Sequence, residues 1–270
     1  MPEKTGHPAT VLEPGLQAGV RRILGARSAR QTLAGLPPAH RPANLPEAYR
    51  MQRALTEAWG DRVTGWKVGA TSPEVQALFG INEPVFGPIF TETVATSPAG
   101  LPEADFPHRL LESEFAFSFR TGLPPRPEPY RRTEVLAAVE SVIPALEVVS
   151  PRFDRLMVDD IPLLVADFCA NGGAILGTPC TAWQGLDLPA QPVRLLIDGV
   201  LCQEGTGALV LGDPSNVLVW LANALSAQGL AIAAGEFVLT GTMTGLHAPE
   251  PGQTAVADFG SLGIVEAVFG

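Results

Sequence analysis

The stretch "LLESEFAFSF" (residues 110–119) sets Glu112 and Glu114 inside a run otherwise rich in leucine and phenylalanine. Side chains of a strand alternate between faces, so residues 112 and 114 point the same way. Leu111, Phe115, Phe117 and Phe119 share the opposite face, where they can pack a core. Two carboxylates side by side repel each other unless positive charge lies between them. The glutamate face is therefore either open to water or closed around a cation.

A second stretch sharpens the choice. In "IPALEVV" (residues 143–149) Glu147 stands in the middle of a near-continuous apolar strand, where a carboxylate is seldom left without a positive partner. Three such carboxylates, with no histidine or cysteine ligand nearby, make a hard oxygen site suited to Mg²⁺ or Mn²⁺ rather than zinc. A catalytic ion of that kind keeps positions open for substrate oxygens. Lys67, in "GWKVG" (residues 65–69), either snorkels to the surface or is partly desolvated near the carboxylates, where it can serve an acid substrate as acid, base or charge partner. "LTGTMTG" (residues 239–245) reads as a plain turn or as a loop offering N–H groups and hydroxyls to a carboxylate. The histidines His7, His40, His108 and His247 have no metal spacing, and no nucleophile elbow, phosphate loop or dinucleotide fingerprint is present.

Around these motifs the chain reads as follows. Residues 11–35 carry helical spacing through Leu12, Leu16, Val20, Leu24 and Leu33, and a proline-rich break precedes a second helix from Leu45 to Trp59. "VTGWKVGAT" is a short strand, and Ser72-Pro73 opens a helix through Leu78. "RTEVLAAVESV" (residues 132–142) reads as a helix capped by Thr133. Asp198-Gly199 is a hairpin turn, and Asp213, Pro214 and Gly229 bound a further helix. Strands do not alternate regularly with helices, which disfavours a doubly wound parallel sheet. The fold class expected is α+β: a mixed α/β lobe over residues 1–90, and a β-rich barrel or sandwich-like roll over residues 91–270 with helices outside.

Bulk properties bound the function. Of 270 residues, 46 % are apolar and 17 % charged, which is greasy enough to suggest burial between subunits, hence a homo-oligomer. Eighteen Lys and Arg against 28 Asp and Glu give a net charge of −10, which argues against nucleic acid and anionic membrane as partners. No apolar run approaches the roughly 20 residues of a membrane span, and the start, "MPEKTGHPAT", lacks the shape of a signal peptide. The three cysteines form no framework, as expected of reduced thiols in the cytoplasm.

Taken together, "GWKVGATSPEVQALFGINEPVFGPIF", the "ESEFAF" strand, "PALEVVSPRF", "VADFCANGGAILG" and "LTGTMTG…PGQTAVADFGSLGIVEAVF" resemble the 2-oxopent-4-enoate hydratase / 4-oxalocrotonate decarboxylase family of the fumarylacetoacetate hydrolase superfamily. The resemblance covers about residues 15–269, with the motifs in order. It implies a small N-terminal α/β lobe, a larger mixed β-roll, and a divalent metal, Mg²⁺ or Mn²⁺, held by Glu112, Glu114 and Glu147. Lys67 falls on the family's lysine. Gly241, Thr242 and Gly245 fall on the loop that contacts the substrate carboxylate, and Ser72, Val85 and Asp167 complete the candidate substrate-binding set.

The resemblance also implies the chemistry: hydration of a 2-hydroxy-2,4-dienoate to a 4-hydroxy-2-oxo acid, in the breakdown of aromatic rings by meta-cleavage. Many related hydratases carry an acid where this chain has Val85, in "PVFG". That departure points toward decarboxylation of a 4-oxalocrotonate-type substrate, and Glu83 lies two positions earlier. Acylpyruvate-type hydrolysis ranks below both, because no histidine stands at an equivalent position. A non-catalytic subunit associated with a related hydratase or decarboxylase is the remaining alternative, opposed by the retention of Lys67 and all three glutamates.

Overall fold

The computed structural model describes residues 11–156 and 158–270; the "MPEKTGHPAT" start and His7 lie outside the described residues. In chain order the elements are α1 (Pro14–Ser28), α2 (Leu45–Trp59), β1 (Val63–Gly69), α3 (Pro73–Phe79), β2 (Val85–Phe90), β3 (Val94–Thr96), β4 (Ala99–Leu101) and β5 (Leu110–Phe119). There follow α4 (Arg132–Ala138), β6 (Val139–Val149), α5 (Ile161–Ala166), β7 (Asn171–Leu176), β8 (Pro192–Ile197), β9 (Val200–Thr206), α6 (Pro214–Ala227), β10 (Phe237–Leu239), β11 (Thr254–Asp258) and β12 (Ile264–Phe269).

Two open mixed sheets form the body, so the closed-barrel alternative is not realised. Seven strands run in the order β2-β1-β10-β5-β6-β7-β3 and five in the order β4-β12-β11-β8-β9. The β1–β10, β3–β7 and β4–β12 pairs are parallel and the rest antiparallel. Phe115, Phe117 and Phe119 of β5 share one core with Val193 and Leu195 of β8, Ala255 and Ala257 of β11 and Val265 and Ala267 of β12. The odd-numbered face of β5 thus faces the second sheet, as its alternation predicts, and the glutamates are committed to the other face. The boundary expected at residue 90 is crossed by hydrogen bonds: β1 pairs with β10, so β1 and β2 extend the larger sheet.

Capping explains the secure helices. Asn44 accepts the Glu47 N–H at 3.0 Å and Gly60 closes α2 in a left-handed conformation at φ +82°. Asp213 accepts the Ser215 N–H at 2.9 Å to open α6. The Asp198-Gly199 turn has φ +49° and +78°, as a tight two-residue hairpin requires.

Three expectations fail at element ends. The first helix stops at Ser28, and Leu33 instead bridges Phe153 in extended form. The helix expected over 132–142 ends at Ala138, because Val139 onward pairs with β5; there tertiary pairing overrides helical spacing. Its cap is Arg131, whose N–H donates to Glu134 Oε2 at 2.9 Å, and Thr133 lies inside the helix. The stretch Gly207–Ala227 has an 18-residue window with a mean hydropathy of 1.3, but Gly212, Asp213, Pro214, Ser215 and Asn216 interrupt it, so it is no continuous apolar run. Its helix proper, α6, has 14 residues, and Val217, Leu218, Leu221 and Leu225 bury their side chains in the core.

Candidate active site and metal centre

Strand register brings the three glutamates together. Glu112 of β5 lies directly opposite Glu147 of β6, and Glu114 sits one pleat further along, opposite Ala145. One carboxylate oxygen from each lies within 4.8 Å of the others. Glu114 and Glu147 are buried and Glu112 is partly so. Glu114 Oε2 accepts the Gly241 N–H at 2.7 Å. Glu147 Oε1 accepts Asn171 Nδ2 at 3.0 Å and lies 3.2 Å from Lys67 Nζ.

The second oxygens, Glu114 Oε1 and Glu147 Oε2, are buried with no hydrogen-bond partner among the described residues. Buried polar atoms are normally paired, and an orphaned carboxylate oxygen is expensive. Burial, and then the neighbouring Glu147, push the carboxyls of Glu112 and Glu114 above the usual carboxylate range, Glu112 to about 7. A hard divalent cation fits this donor set: the donors are oxygens, the excess charge is negative, and one oxygen from each glutamate lies close to the others.

Lys67 projects from β1 and is 5 % exposed. Burial works against its ammonium, but Glu147, with Glu112, Cys169 and Glu114, holds its pKa above the ordinary lysine value. Its Nζ also donates to the Cys169 carbonyl at 3.1 Å. That carbonyl is presented by an unusual turn: Phe168, Cys169 and Ala170 all have φ between +53° and +61°. Left-handed backbone costs roughly 1–2 kcal/mol per non-glycine residue, so the surrounding contacts must hold it. Ser150 N–H binds the Ala170 carbonyl at 2.8 Å, and Cys169 Sγ donates to the Phe86 carbonyl at 2.9 Å. Gly87 leaves room for the turn, since a Cβ there would stand 2.5 Å from the Phe168 carbonyl oxygen. Burial pushes the Cys169 thiol up to about 12, so it is no nucleophile at neutral pH.

Of the three glutamates, Glu112 opens onto a cavity of about 290 Å³. Lys67, Ser72, Val85, Glu112, Gly241, Thr242 and Gly245 line it, so most of the predicted site residues converge. Gly241 has φ +103°, and a Cβ there would stand 2.1 Å from Thr71 Oγ1, which explains a glycine at this corner. Ser72 Oγ also caps α3, accepting the Val75 N–H at 3.3 Å. Glu114, Glu147 and Asp167 do not line the cavity. Asp167 is also separate from the triad: its Oδ1 takes Arg27 Nε at 2.7 Å and its Oδ2 takes the Arg152 N–H at 2.7 Å. No histidine among the described residues lines the cavity either.

Sequence reasoning missed Asn171, the Cys169 carbonyl, Arg27 and the apolar wall. Asn171 and Cys169 stand in "VADFCANGG", where the one acid draws attention first. The wall, including Val149, Leu156, Val158, Leu164 and Leu209, is gathered from separate segments and has no local signal.

The model of the fumarylacetoacetate (FAA) hydrolase C-terminal family matches residues 104–269. A 2-keto-4-pentenoate hydratase of Paraburkholderia xenovorans is 32% identical over 229 residues, 84% of each chain. A 4-oxalocrotonate decarboxylase of Pseudomonas sp. CF600 is 32% identical over 228 residues, 83% of this chain and 84% of its own. In structure, the 4-oxalocrotonate decarboxylase of Pseudomonas putida G7, complexed with magnesium and adipate, superposes with a TM-score of 0.88 at 26% identity, covering 97% of this chain and all of that one. The chain belongs to the fumarylacetoacetate hydrolase family, among its 2-keto-4-pentenoate hydratases and 4-oxalocrotonate decarboxylases.

Proposed function

We propose that this protein is a divalent-metal-dependent lyase that adds water to a 2-hydroxy-2,4-dienoate to give a 4-hydroxy-2-oxo acid. The observation that carries this reading is the buried carboxylate triad, with two orphaned oxygens, beside an ammonium at the wall of a mostly apolar cavity. Glu112, Glu114 and Glu147 would hold Mg²⁺ or Mn²⁺. When bound, the cation stabilises negative charge on the substrate's oxygens.

The chain's own groups supply the rest. Lys67 carries a proton at neutral pH, so it serves as a charge partner for the acid group and as a proton donor rather than a base. Gly241, Thr242 and Gly245, with Ser72, orient the substrate carboxylate. Ketonisation of the dienol moves the hydroxyl proton from C2 to C5 and leaves an unsaturated 2-oxo acid. Water then adds its hydroxyl to C4 and its proton to C3. The apolar walls limit competing water, and Val85 contributes to them from the start of β2.

Val85 also favours one second reading, decarboxylation of a 4-oxalocrotonate-type acid, in which CO₂ leaves and its electron pair is accepted toward the C2 oxygen. Offering 2-hydroxypenta-2,4-dienoate and 2-oxohex-3-enedioate separately, with Mg²⁺ or Mn²⁺, decides between them: gain of water on the first supports the hydratase, loss of CO₂ from the second the decarboxylase. Lys67→Met should retain metal binding by calorimetry while losing about 10²–10⁴-fold in turnover; unchanged turnover would remove Lys67 from the mechanism. In this reading Lys67 comes from β1, where residues 1–90 join the larger sheet formed with residues 91–270, in a cytoplasmic homo-oligomer able to associate with a related hydratase or decarboxylase subunit. Its partner is a small 2-oxo or 2-hydroxy acid rather than nucleic acid or membrane.

A further inference from the structure

The cavity gathers its charge at one place and is otherwise lined largely by apolar side chains. Its charged lining residues are Glu112, a member of the triad, and Lys67, which lies beside the triad. The rest of the wall is carried by Val75, Phe79, Val149, Leu156, Val158 and Leu164, and it contains no arginine, second lysine or histidine among the described residues. At the rim the same surface continues into solvent: Leu78, Leu209 and Leu246 line the cavity and are 69 %, 54 % and 41 % exposed. Exposed leucines clustered around a cavity mouth mark a surface that an apolar ligand can cover.

From this we infer that the natural substrate is a monocarboxylate whose end remote from the acid group carries an uncharged alkyl or aryl substituent. The acid end is served by Lys67 and the Gly241–Gly245 loop. A second carboxylate at the other end would lie against leucine, valine and phenylalanine with no cation to pair it, and an unpaired buried carboxylate is strongly disfavoured. An alkyl chain there displaces water from apolar walls instead, gaining roughly fourfold in affinity for each methylene buried. This inference rests on the lyase reading for the position of the acid group, and it bears on the choice between the two reactions, because the decarboxylation substrate is a dicarboxylate.

Binding and turnover keep the two ideas separable. Calorimetry of the full chain with Mg²⁺ would use three unreactive probes: 2-oxopentanoate, 2-oxooctanoate and 2-oxoadipate. The expected order is 2-oxooctanoate tightest, by tenfold or more over 2-oxopentanoate, with 2-oxoadipate at least tenfold weaker than 2-oxooctanoate. Val75→Lys, which sets a cation on the half-buried cavity face of α3, should raise affinity for 2-oxoadipate and lower it for 2-oxooctanoate. Equal or tighter binding of 2-oxoadipate by the unaltered protein would overturn the inference, whatever the protein turns over. Preference for 2-oxooctanoate without hydration of any 2-hydroxy-2,4-dienoate would uphold the inference and sink the lyase reading.

Discussion

Two buried ionic clusters lie on either side of the 167–171 segment, and they are built to opposite specifications. Around Asp167 every carboxylate oxygen is taken: Arg27 Nε on one side, the Arg152 N–H on the other, and Arg27 Nη2 on its own carbonyl at 2.8 Å. The Arg27 guanidinium also stacks over the Phe168 ring, 4.5 Å from its centroid. Around Glu147 three carboxylates share one lysine, and two oxygens go unpaired. In the first cluster the acid is fully paired, although Nε and Nη1 of the neighbouring Arg152 are buried without a partner; in the second it is the acids that lack partners, and a cation would supply one. A satisfied buried cluster stabilises a shape; a carboxylate-rich, unsatisfied one marks a place where something else binds. The segment couples the two, since Arg27 Nη1 holds the Asn171 carbonyl at 3.1 Å while Asn171 Nδ2 holds Glu147.

The widest gap between the clusters should appear on neutralising one acid in each. Glu114→Gln removes a proposed ligand and should cost several kcal/mol of transition-state stabilisation, roughly 10³-fold in turnover, with loss of Mg²⁺ binding by calorimetry. The metal-free variant should melt no lower than the parent, because a repelling buried charge has gone. Wild-type metal affinity and turnover in this variant would remove Glu114 from the centre.

Asp167→Asn should behave in the opposite way. It leaves Arg27 buried without its counter-charge, and breaking such a pair costs about 3–5 kcal/mol. Denaturant unfolding should register that loss directly, while Mg²⁺ affinity changes far less than in Glu114→Gln. A variant as stable as the parent but unable to bind substrate would make Asp167 a ligand-contacting residue after all.

The contrast between the clusters was half visible in the sequence. Glutamates in apolar strands announce themselves, because burial of a carboxylate demands a reason, and the odd–even pattern of residues 110–119 fixed which face they share. Lys67 stood out on the same ground. Asp167 also stood out, but an acid in a motif does not declare whether its partner is a substrate or an arginine 140 positions away. The left-handed turn at Phe168–Ala170 had no local signal at all, since glycine is absent from it. The ends of α1 and α4 failed for a related reason: helical spacing continued past the point where long-range strand pairing took over.

A smaller effect follows from the carboxyl groups in the metal-free protein. Glu112 is raised by burial and by Glu147 from 4.5 to about 7, and Glu114 is raised as well. Between those values the folded state holds protons that the unfolded chain has released, so stability falls as pH rises from about 4.5 to 7. The slope is roughly 1 kcal/mol per pH unit for one proton at stake. Added Mg²⁺ should offset the loss at pH 7 and above, and its affinity should weaken toward pH 5 as protons compete for the oxygens. Flat metal-free stability across this window, with no proton uptake on chelation, would show that the triad is paired by something else.

Ser72 gives the smallest effect and the finest division between structure and function. Its Oγ caps α3, a seven-residue helix, and also lines the cavity. Ser72→Ala should cost about 1 kcal/mol of stability through the lost cap. Ser72→Asp restores a capping oxygen but adds negative charge beside the position assigned to the substrate carboxylate. If Ser72 is only a cap, the aspartate variant recovers stability with an unchanged KM. If it also orients substrate, the same variant recovers stability while KM rises, because a second carboxylate then repels the first.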